Sequence, residues 1–383
     1  MPASVPRWDI FCSVVDNFGD VGVAWRLARQ LAGEHGFAVR LFVDNLATLA
    51  RLAPQIDATK NAQAALGVEV RHWDGPHAVA AAAPGAVVIE AFGCGLPVPY
   101  LTAMARCGRQ PVWVNLEYLS AEPWIESCHG LASRHATLPL TRYFFFPGFT
   151  AASGGLLREH ELLARRDRFH VAPHERAALW RKLGLTAPAE GTLIASLFCY
   201  ANAALPSLLD AWAAGGSPLL CVVPEGVAGA ALEHWSGSPP QPGRPLVRGR
   251  LVLAVVPFMA QDDYDRLLWT CDVNFVRGED SFVRAQWAAR PLVWHVYPQT
   301  QDAHRLKLEA FSTRYGAALQ ADAATAWRNF LRAWNGEGDP GAIWPAFATA
   351  RAVLGEHAQR WAAERSRDTD LASALVKFCT DRL

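Results

Sequence analysis

The chain has 383 residues, 51% of them apolar and 19% charged, with 36 lysines and arginines balanced by 36 aspartates and glutamates. That length exceeds one ordinary core and predicts two domains, and the composition is that of a globular chain, not a disordered one. A formal net charge of zero argues against a partner held mainly by phosphate neutralisation, so no nucleic acid is expected. The N-terminal MPASVPRWDIF has no basic region leading into an apolar one, so no secretory signal is visible. The longest nearly uncharged stretch, AVAAAAPGAVVI, is too short to span a bilayer and is broken by Pro84 and Gly85. The eight cysteines form no CxxC pair, which argues against both a zinc site and a disulfide framework. A cytoplasmic protein with no membrane contact is expected.

Apolar β-branched runs alternate with helical patterns from end to end, the signature of parallel sheets with crossover helices. In the first half strands are expected at WDIFCSVV, VRLFVD, VEVRHW, AVVIEAF and PVWVNLEY, with a helix at GVAWRLARQLAGEH. In the second half they are expected at TLIASLFCY, PLLCVVPE, LVLAVVPF, DVNFVRG and PLVWHVYP. Helices are expected there at LPSLLDAWAAG, AQDDYDRLLWTC and SFVRAQWAA. The fold class is therefore α/β, two Rossmann-like doubly wound domains. Residues 1–170 form the first and 185–354 the second, with the junction inside 157–191. A broken C-terminal helix, about 355–383, is expected to pack back on the first domain. Ligands of such sheets bind beyond the carboxyl ends of the strands, which makes a cleft between the domains the expected site.

The stretch VVDNFGDVG has the shape of a phosphate loop, a strand turning into a helix, yet it holds Asp16 and Asp20 with only Gly19 and Gly22. A dinucleotide fingerprint needs G-x-G-x-x-G, with an acid such as Asp44 for the ribose. Two carboxylates beside a pyrophosphate cost on the order of several kcal/mol. Asp20 alone could cap a helix beginning near Val21; that leaves Asp16 unexplained. A cationic ligand explains both, since carboxylates grip a planar guanidinium through paired charge-assisted hydrogen bonds and the helix dipole favours their ionised form.

A second strand–turn–helix occurs at VRGEDSFVRAQW. Gly278 gives backbone freedom, and N–H groups near Ser281, with its hydroxyl, form an anion site. Arg277 or Arg284 could add positive charge, although Arg284 reads equally as a solvated helix residue. Glu279 and Asp280 are either first-turn acids favoured by the dipole or acceptors for a ribose. The tryptophans read mostly as core residues, and His295 and His304 receive no role.

PFMAQDDYDRLLWTCDVNFVRGEDSFVRAQWAARPLVWHVYPQ is similar to the nucleotide-sugar half of GT-B glycosyltransferases. WDIFCSVVDNFGDVGVAWRLARQL together with RGEDSFVRAQWA resembles the EarP family, elongation factor P arginine rhamnosyltransferases, over essentially the whole chain. The resemblance implies a GT-B fold and inverting transfer of L-rhamnose from dTDP-β-L-rhamnose to an arginine in the N-terminal domain of elongation factor P. No metal or other cofactor is implied. It maps the essential acids onto Asp16, Asp20 and Glu279. Donor contacts fall on Phe258 and Gln261 at the thymine and on Asp280, Ser281 and neighbouring amides at the diphosphate turn. Tyr200, Asn115 and Tyr297 are further donor-side positions. Asp20 is assigned as the base, Asp16 as the orienting partner, and Glu279 to the donor side. The alternatives are another GT-B transferase with a different acceptor, a nucleotide-sugar 2-epimerase, or a binding module for a translation factor.

Overall fold

A computed structural model describes residues 6–75, 79, 82–299 and 302–383. The chain separates into unit 1, Met1–His160 with Ser366–Leu383, and unit 2, Glu161–Arg365.

Unit 1 contains β1 (Arg7–Cys12), α1 (Gly19–Gly33), β2 (Ala38–Val43), α2 (Leu46–Leu52), β3 (Ala62–Ala65), β4 (Val68–His72), β5 (Val87–Ala91), α3 (Val98–Ala105), β6 (Val112–Leu116), α4 (Trp124–Cys128), β7 (Ala132–Arg134) and β8 (Thr141–Phe145). The sheet order is β3-β4-β2-β1-β5-β6-β8-β7. All pairings are parallel except the two at the edges, β3 with β4 and β7 with β8. The central strands are buried on both faces, which is why they read as unbroken apolar runs. Phe11, Phe42, Trp73, Val88, Tyr100 and Trp113 share one core cluster, with Phe11 stacked on Phe42 at 4.3 Å. Asp9, fully buried, is held by Arg40 through two bonds of 2.9 and 2.8 Å, by the Tyr100 hydroxyl and by the Gly85 amide. Four donors around one carboxylate satisfy what would otherwise be a costly buried charge.

Unit 2 contains α5 (Leu162–His170), α6 (Pro173–Lys182), β9 (Leu193–Leu197), α7 (Leu205–Ala214), β10 (Leu219–Pro224), α8 (Gly229–Ser236), β11 (Leu246–Arg248), β12 (Leu251–Val256), α9 (Gln261–Thr270), β13 (Val273–Arg277), α10 (Asp280–Trp287), β14 (Leu292–His295), α11 (Ala303–Gly316), α12 (Ala321–Trp334) and α13 (Pro340–Arg365). Its sheet runs β11-β12-β10-β9-β13-β14, parallel except for the edge strand β11. Fourteen of the fifteen tryptophans are buried and only Trp124 is exposed, so they build cores as expected and are not sugar platforms.

The unit boundaries differ from the expected 170 and 185. The chain changes unit at Glu161, because α5 packs into unit 2: Arg166 donates to the Trp287 carbonyl at 2.8 Å and Phe169 meets the Trp269 ring. The return to unit 1 begins at Ser366, not near 355. Residues 355–365 belong to unit 2 because α13 buries Ala358, Trp361 and Ala362, with the Trp361 indole donating to Gln286 at 2.9 Å. The part that does return is α14 (Leu371–Thr380), capped by Asp370. It joins unit 1 through Leu371 N–H to Leu156 and Gln30 to Asp370.

Helix α10 is buried along its whole length. Two cross-links tie it to α9, one helical turn apart on each: Gln261 to Asp280 at 3.1 Å, and Asp265 to Arg284 through two bonds of 2.9 and 2.6 Å. Phe282 stacks on Trp294 at 4.0 Å on the sheet side. Removing one partner of a buried ion pair strands the other. Arg284→Met should therefore cost about 3–5 kcal/mol in urea unfolding, and Arg284→Met with Asp265→Leu should regain most of it.

Candidate active site

Each sheet has one point where the strand order reverses, and ligands of open α/β sheets bind in the loops that diverge there. In unit 1 the point lies between β1 and β5, so the loop after β1 is the one carrying Asp16 and Asp20. Helix α1 starts at Gly19, preceded by Asn17 in the left-handed region (φ 39°) and by Phe18, which makes no side-chain cap. Asp20 is thus inside the first turn and does not cap the helix, contrary to the capping reading. Its Oδ2 reaches back to accept the N–H groups of Val15 at 2.9 Å and Asp16 at 2.8 Å. Its Oδ1 accepts the Tyr118 hydroxyl at 3.3 Å, and the residue is only 2% exposed.

The Asp16 carboxylate folds against the start of the same helix. A Cβ on Gly19 would stand 2.6 Å from its Oδ2, so glycine is required there for the acid to lie where it does. Gly22 is buried in the first turn and donates its N–H to Phe18. Asp44 accepts the Val14 N–H at 2.9 Å and so helps fix the loop. Tyr118, which the sequence did not single out, is held by stacking on Phe92 at 4.6 Å. Asn115 lies in β6 of this same unit, accepting the Gly93 N–H at 3.0 Å. The structure therefore places it in unit 1, whereas the other expected donor positions all belong to unit 2.

In unit 2 the reversal lies between β9 and β13. The loop after β9 brings Phe198 and Tyr200, and the end of β13 brings Arg277, whose guanidinium lies over both rings at 4.6 and 4.7 Å. Tyr200 also meets His295 and Tyr297 edge-on, at 5.3 and 5.4 Å. Tyr297 is 41% exposed and Phe258 half-buried. Gly278 takes φ 59°, a left-handed turn that lets the chain leave β13 and enter α10 at once.

The acids at this turn have partners from other helices. Glu279 accepts from Lys307 of α11 at 2.8 Å, and Asp280 accepts from Gln261 of α9. Neither expected reading of Arg284 survives, since it is buried against Asp265 and is neither solvated nor available to a ligand. The Ser281 hydroxyl also differs from expectation: it accepts the Arg277 N–H at 3.0 Å and donates to the Arg277 carbonyl. Turned into its own turn, Ser281 offers an anion its main-chain N–H, one of the four that a helix start leaves without intrahelical partners.

His295, left without a role on sequence grounds, ends β14 in register with Arg277. Its Nδ1 is buried without a hydrogen-bond partner among the described residues. Burial first, then the positive fields of Arg277 and His304, lower its pKa to about 4. Lys307 was equally invisible in the sequence, because nothing local links it to residue 279.

Among the described residues no group of three or more His, Cys, Asp or Glu side chains could hold a metal ion. No described helix is long and apolar enough to cross a membrane. Unit 1 also contains a cavity of about 350 Å³ beside Glu90, Trp113, Arg134 and Arg142; neither Asp16 nor Asp20 lines it.

Residues 8–380 match the family model of EarP, the elongation factor P (EF-P) rhamnosyltransferase. Protein-arginine rhamnosyltransferases of Pseudomonas putida and Pseudomonas aeruginosa are 50% and 51% identical, each over 98% of this chain and 99% of the relative. A solved structure described as the structural basis for EarP-mediated arginine glycosylation of translation elongation factor EF-P is 40% identical. It covers 99% of this chain and 100% of its own, with a TM-score of 0.71. A glycosyltransferase structure from Rickettsia africae, 8% identical over 98% of this chain and 97% of its own at a TM-score of 0.52, shares the fold. The chain belongs to the EarP family and is a glycosyltransferase of GT-B fold.

Proposed function

We propose that the chain transfers L-rhamnose from dTDP-β-L-rhamnose to an arginine of elongation factor P, inverting the anomeric centre in a single displacement. The observation that carries this reading is the pair of carboxylates, Asp16 and Asp20, at a helix start where a nucleotide enzyme would hold phosphate. Such a pair selects a planar cation. The relatives named as protein-arginine rhamnosyltransferases support the same acceptor chemistry.

The acceptor is a poor nucleophile. Guanidinium stays protonated below about pH 12 and its lone pairs are delocalised. No carboxylate of ordinary pKa, about 4, removes that proton in the ground state. As the C–N bond forms the nitrogen becomes acidic, and a carboxylate already in place takes the proton in the transition state. Of the roughly four acceptor positions on the Asp20 carboxylate, two on Oδ2 are filled by amides and one on Oδ1 by Tyr118. The position left on Oδ1 receives the proton. Asp16 holds the guanidinium and draws its positive charge away from the attacking nitrogen.

On the donor side Phe258 and Gln261 enclose the thymine, and the α10 amides with Arg277 meet the diphosphate. Glu279 accepts from the ribose or shapes the diphosphate turn. Diphosphate charge then leaves toward N–H groups and a guanidinium, without a metal or cofactor. A neutral His295 beside Arg277 adds no further positive charge.

Incubation of elongation factor P with this chain and dTDP-rhamnose should add one deoxyhexose to a single arginine, read by peptide mass spectrometry. A chain that releases dTDP without the acceptor protein would contradict the reading.

Asp20→Asn should lower kcat by about 100-fold or more, the usual scale of general-base loss. Asp16→Asn should mainly raise the acceptor KM. Were Asp16→Asn to abolish kcat while Asp20→Asn turned over normally, the two roles would be exchanged.

The unfolded chain protonates His295 near pH 6.5, and the folded chain only near 4. The native state is therefore fully favoured above about 6.5 and loses up to ~3 kcal/mol from this residue as pH falls toward 4. His295→Gln should flatten the pH dependence of the urea midpoint across that window by a corresponding amount.

A further inference from the structure

The α10 N-terminus presents a physical contradiction. A helix start at the carboxyl edge of a parallel sheet is an anion site, yet this one carries Glu279 and Asp280. Asp280 is tied to Gln261. Glu279 occupies the N-cap position without making a capping bond. Its carboxylate is instead met by Lys307, with Nζ donating to Oε1 at 2.8 Å and the two side chains 16% and 12% exposed. Lys307 comes from α11, a helix that supplies none of the other residues at this turn.

We infer that Lys307 is a positioning residue of the donor site. It draws the Glu279 charge into an ion pair so that the α10 amides can receive a nucleoside diphosphate. The inference rests on the donor half of the proposed function and deepens it. With Lys307 removed, the Glu279 carboxylate would lose this cation at the place where the diphosphate binds, and like charges in a partly buried setting repel strongly.

The test is a double-mutant cycle, read by calorimetric titration of dTDP into the full-length chain. Lys307→Met should weaken dTDP binding by about 10- to 100-fold. Lys307→Arg should stay within a few-fold of the unaltered chain, since it restores the charge. In a Glu279→Gln background, Lys307→Met should cause no further loss, because no charge remains to be compensated. Thymidine, which carries no phosphate, should bind Lys307→Met as well as it binds the unaltered chain in ligand-observed NMR.

Equal loss of thymidine and dTDP would make Lys307 merely structural and overturn the inference. A loss that persists undiminished in the Glu279→Gln background would also overturn it, since Lys307 would then grip the diphosphate itself. If the unaltered chain binds dTDP and Lys307→Met binds it equally well, the inference fails and the donor reading stands. If the unaltered chain binds no dTDP, both fall together.

Discussion

The start of a helix at the carboxyl edge of a parallel sheet attracts negative charge, and both units of this chain fill that place with carboxylates of their own. The two units dispose of them differently. In unit 1 the Asp20 carboxylate turns back onto the Val15 and Asp16 amides. Those amides precede the helix, so the Asp20 carboxylate is pinned to its own loop. In unit 2 the acids are drawn off by Gln261 and Lys307, which leaves the helix start with its N–H groups. In the proposed function one local geometry, used twice, serves ligands of opposite charge.

The difference is maintained by the framework behind each loop. Helix α10 has little freedom to move: α9 holds it at two points one turn apart, the Phe282–Trp294 stack holds it on the sheet, and Trp361 of α13 bonds to Gln286. Its first turn is fixed further by the Ser281 hydroxyl, bonded both ways to Arg277. In unit 1 the corresponding rigidity comes from short links around the loop itself, Asp44 to Val14 and Gly19 against Asp16. Removing the Gly19 hydrogen in favour of a methyl would displace the Asp16 carboxylate before it disturbed the backbone.

The features legible in the sequence were those fixed by local periodicity. Central strands such as β5 and β10 are buried on both faces and declare themselves as apolar runs. Four strands were not anticipated beside them: β3, β7 and β11 are short, antiparallel and at sheet edges, with exposed residues in each, and β8, parallel to β6, is mostly half-buried and so reads as no unbroken apolar run. Their pairing is decided by the neighbouring strand and not by their own pattern. The C-terminal return was placed about ten residues too early, since α13 runs on to Arg365 and only its packing partners show that its last turns stay with unit 2. Within the sites, the acids themselves stood out as residues out of place. Their partners Tyr118 and Lys307 did not, because they arrive from distant elements and belong to common residue types. Ser281 was misread for a related reason: a hydroxyl in a tight turn can satisfy its own backbone, and sequence does not say which way it rotates.

The way Asp20 is held bears on the proposed chemistry more than its identity does. A flexible surface carboxylate would be free to collapse onto a guanidinium in the ground state, which strengthens binding of the reactant and lowers its reactivity. Asp20 resists following the ligand in this way, because it is itself buried and moving Oδ2 would break its bonds to the Val15 and Asp16 amides. Its remaining acceptor position is therefore fixed before the acceptor arrives. Stabilisation by a fixed dipole or charge is worth most where charge changes during reaction, because no reorganisation is needed at that moment. For a nucleophile that becomes acidic only as its bond to the sugar forms, a base held still is of more use than one that binds tightly at the outset.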